Sequence, residues 1–189
     1  MANNAISDDQ ILHRGEVILN YVIQEHLKSS GSEVTLVEHP VIREEEEEES
    51  LLEIALLVRR TAQTLQRDTE LNHAIDSKWP LTSKDSYWNL VNKVFEDGVI
   101  SWERIVVLFY IAGKISVKVV SACVPQRVSD VISWTLDFFR RNLVDWVRGQ
   151  GGWENIIGSL STPTSQMVAV FLSGILLGGF VVWRMNKNG

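Results

Sequence analysis

An all-α bundle built around a central hydrophobic hairpin and closed by a C-terminal transmembrane tail helix is the fold class that this 189-residue sequence predicts. Three observations predict it. Nearly every segment between residues 9 and 148 repeats apolar side chains at alternating three- and four-residue spacing, the period of one helix face. Residues 105–113 (IVVLFYIAG) carry no charge and need cover on all sides, as a central helix has. Residues 167–183 (MVAVFLSGILLGGFVVW) form a second uncharged run, with six residues beyond it.

Taken in order, residues 1–8 are expected to be a flexible N-terminus and residues 9–161 the bundle. Ile11, Gly15, Ile18, Val22 and Ile23 mark one face of a first helix from about Asp9 to Lys28, which Ser29-Ser30-Gly31 stops. An acidic loop, 31–49, follows, closing on six consecutive glutamates, Glu44 to Glu49. These lie just before or within the first turn of a helix beginning near Ser50, where negative charge suits the positive end of the macrodipole. They lack the spaced ligands and turning glycine of a calcium loop, so a solvated acidic flank is expected rather than a metal site. Leu51, Ile54, Val58, Thr61, Ala62 and Leu65 then make a stripe along a helix of residues 51–71. Such a stripe serves an ordinary bundle helix or one that lays a face into a partner's groove.

Trp79-Pro80-Leu81 is a turn, and Thr82-Ser83-Lys84-Asp85 resembles a capping box that opens a helix through Tyr87, Trp88, Val91, Val94 and Phe95. Asp97-Gly98 ends it. The most apolar segment follows, a helix of roughly Ser101 to Val124 with Lys114 and Lys118 on neighbouring faces. Pro125 starts the next, whose apolar face runs from Val128 through Trp134 and Phe138 to Val147, and Gly149 to Gly152 cap it. Each arm of this hairpin is expected to be some 20 to 23 residues, about 30 to 35 Å. That length could cross a bilayer, yet Asp130, Asp137, Arg140, Arg141, Asp145 and Arg148 make the second arm a poor permanent span. A soluble core hairpin and a conditionally inserting one both remain open.

The tail, residues 165–184, is expected to anchor the chain. A helix of residues 167–183 reaches about 25 Å, a little short of a typical ~30 Å hydrocarbon core. Trp183 is placed as an interfacial aromatic, Arg184 adds positive charge, and Gly174 with Gly178 allows close helix approach, with Val170 and Leu177 on the apolar body. A buried core helix is the competing reading.

Composition excludes several classes of function. Net charge is −6, but without the glutamate run the remaining 18 acids balance 18 bases, so no basic surface for nucleic acid is expected. MANNAISDDQ lacks the apolar centre of a secretory leader. The single Cys123 allows no internal disulfide and, lying in an apolar helix, is expected to be a buried structural thiol; a reducing, cytosolic setting follows. His13, His26, His39 and His73 have no metal-ligand spacing, and no phosphate loop occurs, so neither catalysis nor a cofactor is expected.

Residues 97–110 (DGVISWERIVVLFY) resemble the first homology motif of the B-cell-lymphoma-2 family, which would span 97–113. Trp134-Thr135-Leu136-Asp137-Phe138-Phe139, continuing through Trp146 to Gln150-Gly151-Gly152-Trp153, resembles the approach to and body of the second, 146–161. Thr162-Pro163-Thr164 before an apolar tail is also similar to the family's pro-apoptotic members. The matches are ordered and colinear from about Glu70 onward.

The resemblance implies eight or nine helices around the central hairpin and a surface groove that receives an amphipathic helix. It further implies a death effector, cytosolic at rest, that moves to the mitochondrial outer membrane, homo-oligomerises groove to helix and permeabilises the membrane. The implied partners are copies of itself, family proteins and their amphipathic helices, and the outer-membrane lipids. A groove protein that sequesters partner helices, and a diverged tail-anchored member without pore activity, are the alternatives. On this reading Leu51, Ile54, Val58, Thr61, Ala62, Gln63 and Leu65 form the third homology helix that dimerises. Phe95, Trp102, Glu103 and Arg104 line the groove. Ile105, Leu108, Phe109, Lys114, Lys118, Trp134 and Phe138 belong to the membrane hairpin. Two residues depart from the pattern: Gln63 stands where the family has a nearly constant Asp that pairs with the Arg at 104, and Glu103 replaces a Gly. A carboxylate at 103 is expected to neutralise Arg104 in cis, matching a groove without Asp preference to a helix that offers none.

Overall fold

The computed structural model describes residues 6–36, 45–81 and 83–160, and every regular element among them is helical. Eight α-helices follow one another: α1 (Asp8–Ser29), α2 (Glu45–Leu65), α3 (Thr69–Ser77), α4 (Lys84–Asn92), α5 (Trp102–Ser121), α6 (Val128–Asn142), α7 (Val144–Gly149) and α8 (Asn155–Leu160). Short 3-10 turns lie at 93–95 and 125–127.

Side-chain caps fix several of the starts. Ser7 caps α1 through a full capping box: its Oγ accepts from the Gln10 amide at 3.2 Å, and Gln10 Oε1 accepts from the Ser7 amide at 3.0 Å. Ser83 and Ser101 cap α4 and α5 in extended conformation, their hydroxyls accepting from Ser86 and Arg104.

α5 is the axis. Every residue from Arg104 to Gly113 is buried, and α1, α2, α6 and α8 all pack against this helix. One aromatic cluster ties the far end of the chain to it. Trp153 stacks on Phe139 at 5.5 Å and 10°, meets Phe109 at 6.0 Å and donates its indole N–H to the Ile11 carbonyl at 2.9 Å.

Four expectations need correction. The acidic loop is shorter than 31–49, because Glu45 to Glu49 are already helical; glutamate is a good helix former and its charge favours an N-terminal turn. The helix expected over 51–71 is two helices. Asp68 accepts from the Glu70 and Leu71 amides, and Asn72 Nδ2 donates to the carbonyls of Leu65, Gln66 and Asp68, so the polar groups of the break are satisfied.

The second hairpin arm also divides, at Leu143 (φ −123°), leaving α6 with 15 residues, about 22 Å rather than 30 to 35 Å. Among the described residues no helix is long and apolar enough to cross a membrane. The tail anchor, with Val170, Gly174, Leu177, Gly178, Trp183 and Arg184, lies outside the described residues.

Cys123, finally, is exposed, not buried in a helix. It follows the end of α5 at φ 60°, with its amide bonded to the Val120 carbonyl and that of Val124 to the Val119 carbonyl. This is the left-handed closure that helices usually assign to glycine, and it turns the side chain of Cys123 out of the core.

Candidate functional site

Two features bear on the expected site, the apolar face of α2 and the start of α5. Along α2, Leu51, Ile54, Val58, Ala62 and Leu65 are all buried, as is Ala55 between them. Thr61 is buried too, its hydroxyl donating back to the Leu57 carbonyl at 3.1 Å, so the weaker apolar anchor is at least hydrogen-bonded. The stripe is therefore turned into the molecule's own core. The opposite face leaves Leu52 and Leu56 at 51% and 42% exposed, one helical turn apart.

Arg104 is the electrostatic centre. The residue is only 4% exposed, yet its guanidinium is well served. Nη2 donates to Asp97 Oδ2 at 2.7 Å, Nη1 donates to Asp97 Oδ1, and Nη1 also donates to the Val99 carbonyl at 2.8 Å. Fork and carboxylate thus meet in the two-point geometry that planar guanidinium favours. The guanidinium hydrogen bonds first, then the Val99 amide donated to the same carboxylate, hold Asp97 well below the usual carboxylate range. Glu103 does not take this role. Adjacent helix residues point about 100° apart, and the carboxylate that meets Arg104 comes from across the Asp97-Gly98 turn instead. Sequence reasoning assigned Asp97 only to the end of a helix; the usable signal was an acid beside a turn glycine (φ 76°) seven residues ahead of a lone Arg in an apolar run.

Gln63 is not brought to Arg104. It is exposed and lines a small cavity with Val22, Glu25, His26, Arg59 and Gln66, on the side where α2 meets α1. Arg59 and Glu25 pair across that seam at 2.9 Å. Trp102 is buried at the core edge, 5.1 Å from Trp146 and 5.5 Å from Trp153, and half-buried Phe95 packs on Phe138 at 5.6 Å. Of the expected groove residues, Glu103 is half-buried and Arg104 is reached through Asp97. A separate cleft of about 730 Å³ opens between α1 and α6, with Val34, Leu36, Ile132 and Leu136 on its walls.

Of the hairpin residues, Ile105, Leu108, Phe109 and Phe138 are core. Trp134 is half-buried and packs on Tyr87 at 5.9 Å, Lys114 is half-buried, and Lys118 pairs with Asp76 at 2.8 Å. No group of side chains able to hold a metal ion occurs among the described residues.

The architecture, a buried apolar helix ringed by amphipathic ones, has known counterparts. The chain matches the family model of apoptosis regulator proteins, Bcl-2 family, over residues 58–153. It belongs to the Bcl-2 family. Apoptosis regulator BAX of Homo sapiens is 30% identical over 179 residues, covering 94% of this chain and 91% of the relative. The Bcl-2-related ovarian killer protein of Gallus gallus is 29% identical over 87 residues, 46% of this chain and 39% of the relative. Among solved structures, chicken BOK superposes with a TM-score of 0.69 at 22% identity, covering 81% of this chain and 98% of that one. Trichoplax adhaerens trBcl-2L2 bound to trBak BH3 gives 0.63 at 17% identity, over 79% and 98%. The chain is accordingly an apoptosis regulator of the Bcl-2 family, similar to BAX and BOK, and like that family it is not an enzyme.

Proposed function

We propose that this chain is a pore-forming effector of the BAX type. It rests in the cytosol, anchors in the mitochondrial outer membrane through residues 165–184, assembles with copies of itself and makes that membrane permeable. The observation that carries the reading is the likeness to BAX, which extends over 94% of the chain rather than over the homology motifs alone.

The inward stripe of α2 supports it physically. Ile54, Val58 and Leu65 cannot meet a second molecule while they pack in their own core, so assembly requires α2 to leave and to exchange one set of apolar contacts for another. Such exchange is nearly isoenergetic when the new groove buries the same area, at roughly 25 cal/mol per Å². A membrane surface then tips the balance. The structural neighbour trBcl-2L2 is bound to trBak BH3, which supports a groove that takes a partner segment here.

Dye release from vesicles of outer-mitochondrial composition tests the proposal with the full-length chain. Release on addition of an activating helix supports the effector reading. Suppression of release by another effector would identify a sequestering regulator, and neither effect a member without pore activity. A charge at Val170 or Leu177 should leave the chain cytosolic, since insertion of an ion at mid-bilayer costs at least about 2.5–3.5 kcal/mol.

A further inference from the structure

His26 is the one buried histidine among the described residues, and its two ring nitrogens are unequally served. Nδ1 lies 2.9 Å from the Val22 carbonyl, which can only accept, so Nδ1 carries the proton and Nε2 the lone pair. Nε2 is buried and meets no hydrogen-bond partner among the described residues. A neutral ring tolerates this, but an imidazolium does not: its new N–H finds no acceptor, and its charge stands among cations, Lys114 of α5 and Arg59 of α2. The acids nearby are engaged. Glu25, which faces the ring from α1, already holds Arg59 at 2.9 Å and Lys28 at 3.3 Å. Tyr110 of α5 meets the ring edge-on and is a neutral phenol, its pKa pushed up to about 12 chiefly by burial. Beyond it, Asp76 pairs with Lys118 at 2.8 Å, and Asp68 accepts from the Glu70 and Leu71 amides.

The two halves of α1 are held differently. Its N-terminal half is tied down by the indole of Trp153 on the Ile11 carbonyl at 2.9 Å and by the ion pairs of Asp8 with Arg148 and Arg14 with Glu154. Around His26, by contrast, a small cavity between Glu25, Arg59, Gln63 and Gln66 already opens the seam between α1 and α2. A charged ring therefore reaches water by parting that seam, with the rest of the bundle intact.

We propose that His26 is a proton latch on α1: uptake of one proton at Nε2 releases the C-terminal half of α1, residues 19–29, from α5 and α2, while the N-terminal half stays docked. Mild acid then uncovers the part of α2 over which α1 lies. The latch goes beyond the effector reading and does not depend on it. One proton sets the size of the effect. A released ring with an ordinary value of 6.5, against a closed ring held lower chiefly by desolvation, raises the open fraction by up to about tenfold between pH 7.5 and 5.5.

Hydrogen exchange of the full-length protein without membranes, corrected for intrinsic exchange rates, tests this at pH 7.5, 6.5 and 5.5. Protection over residues 19–29 should fall by about three- to tenfold across that range, while residues 11–17 keep theirs. His26→Gln, whose amide takes up no proton, should keep its protection in both segments. Constant protection over 19–29 in wild type overturns the latch. So does a fall of equal size in both segments, or a fall that persists in a folded His26→Gln protein. Should that variant not fold, an NMR titration of the wild-type His26 ring decides: proton uptake that tracks the loss of protection over 19–29 supports the latch, and uptake without that loss overturns it.

Discussion

The imidazole of His26 lies directly over the backbone of Gly113, so that a Cβ at residue 113 would come within 2.7 Å of both Cγ and Nδ1 of the ring. Only glycine lets α1 settle this deeply onto α5. The ring cannot swing aside cheaply, because Nδ1 is 2.9 Å from the Val22 carbonyl and the ring meets Tyr110 edge-on at 5.3 Å. In most helix interiors Gly→Ala stabilises by about 0.5–1 kcal/mol. Gly113→Ala should instead destabilise by about 1–3 kcal/mol, the usual scale of overpacking. Urea denaturation at pH 7.5 measures it, and Gly149→Ala, where nothing lies within 4 Å, is the matched control.

The same ring makes stability depend on pH. Desolvation lowers the pKa of His26 below 6.5; the Val22 carbonyl opposes the shift, nearby Lys114 adds to it and Glu25 opposes it. Arg59 and Tyr110 complete the surroundings. A lowered folded pKa means that the unfolded chain binds the proton more readily. The stabilising contribution is therefore complete above pH 6.5 and is lost as pH falls from there towards the folded value. His26→Gln should flatten the slope of the urea midpoint between pH 7.5 and 5.5 relative to wild type. Equal slopes in the two proteins would place the proton uptake elsewhere.

What could be read from the sequence, and what could not, divides along physical lines. The central position of α5 was legible because an uncharged run must be covered, and the start of α4 because Thr82-Ser83-Lys84-Asp85 resembles a capping box, although the residue that caps is Ser83. The breaks after Leu65 and at Leu143 were not, since apolar periodicity continues through a pause of one or two residues. Cys123 was misplaced because a left-handed residue other than glycine leaves no mark in composition. The stripe on α2 was readable as a face, but not as one folded inward. The Asp97–Arg104 pair was missed because Glu103, adjacent in sequence, was the more obvious carboxylate, although adjacency on a helix keeps two side chains apart.

A buried hydroxyl pair offers a smaller, directed change. Thr135 Oγ1 donates to the Val131 carbonyl at 2.6 Å, so the 2.7 Å contact with Tyr87 requires the phenol to donate and the threonine to accept. Burial pushes the Tyr87 phenol well above its ordinary pKa, and it remains a proton donor throughout the working range. Tyr87→Phe should cost about 1 kcal/mol, a typical net value for one hydrogen bond. Adding Thr135→Val in that background should cost little more, because removal of both partners leaves no orphaned group beyond the Val131 carbonyl, which the helix already serves. Thermal melts of the single and double variants check the near-cancellation.

Trp153 couples the turn between α7 and α8 to the first helix, and its loss should be the most damaging single truncation here. The side chain is fully buried, stacks on Phe139 and reaches the Ile11 carbonyl 142 residues away. It also closes over Gly15, where a Cβ would come 3.1 Å from the indole. Truncation removes a large apolar volume at the junction of α1, α5 and α6, and that junction is held rigid by α1 packing on α5, α6 and α7. Trp153→Ala should therefore cost about 3–5 kcal/mol, with little relaxation to fill the void. Trp153→Phe should retain part of the packing but give up the bond to Ile11, so its loss should be smaller. If α1 were held by its polar clasps alone, Arg148 with Asp8 and Arg14 with Glu154, both variants would melt within a degree or two of wild type. Surface ion pairs of that kind contribute about 0–1 kcal/mol each, too little to mask the difference.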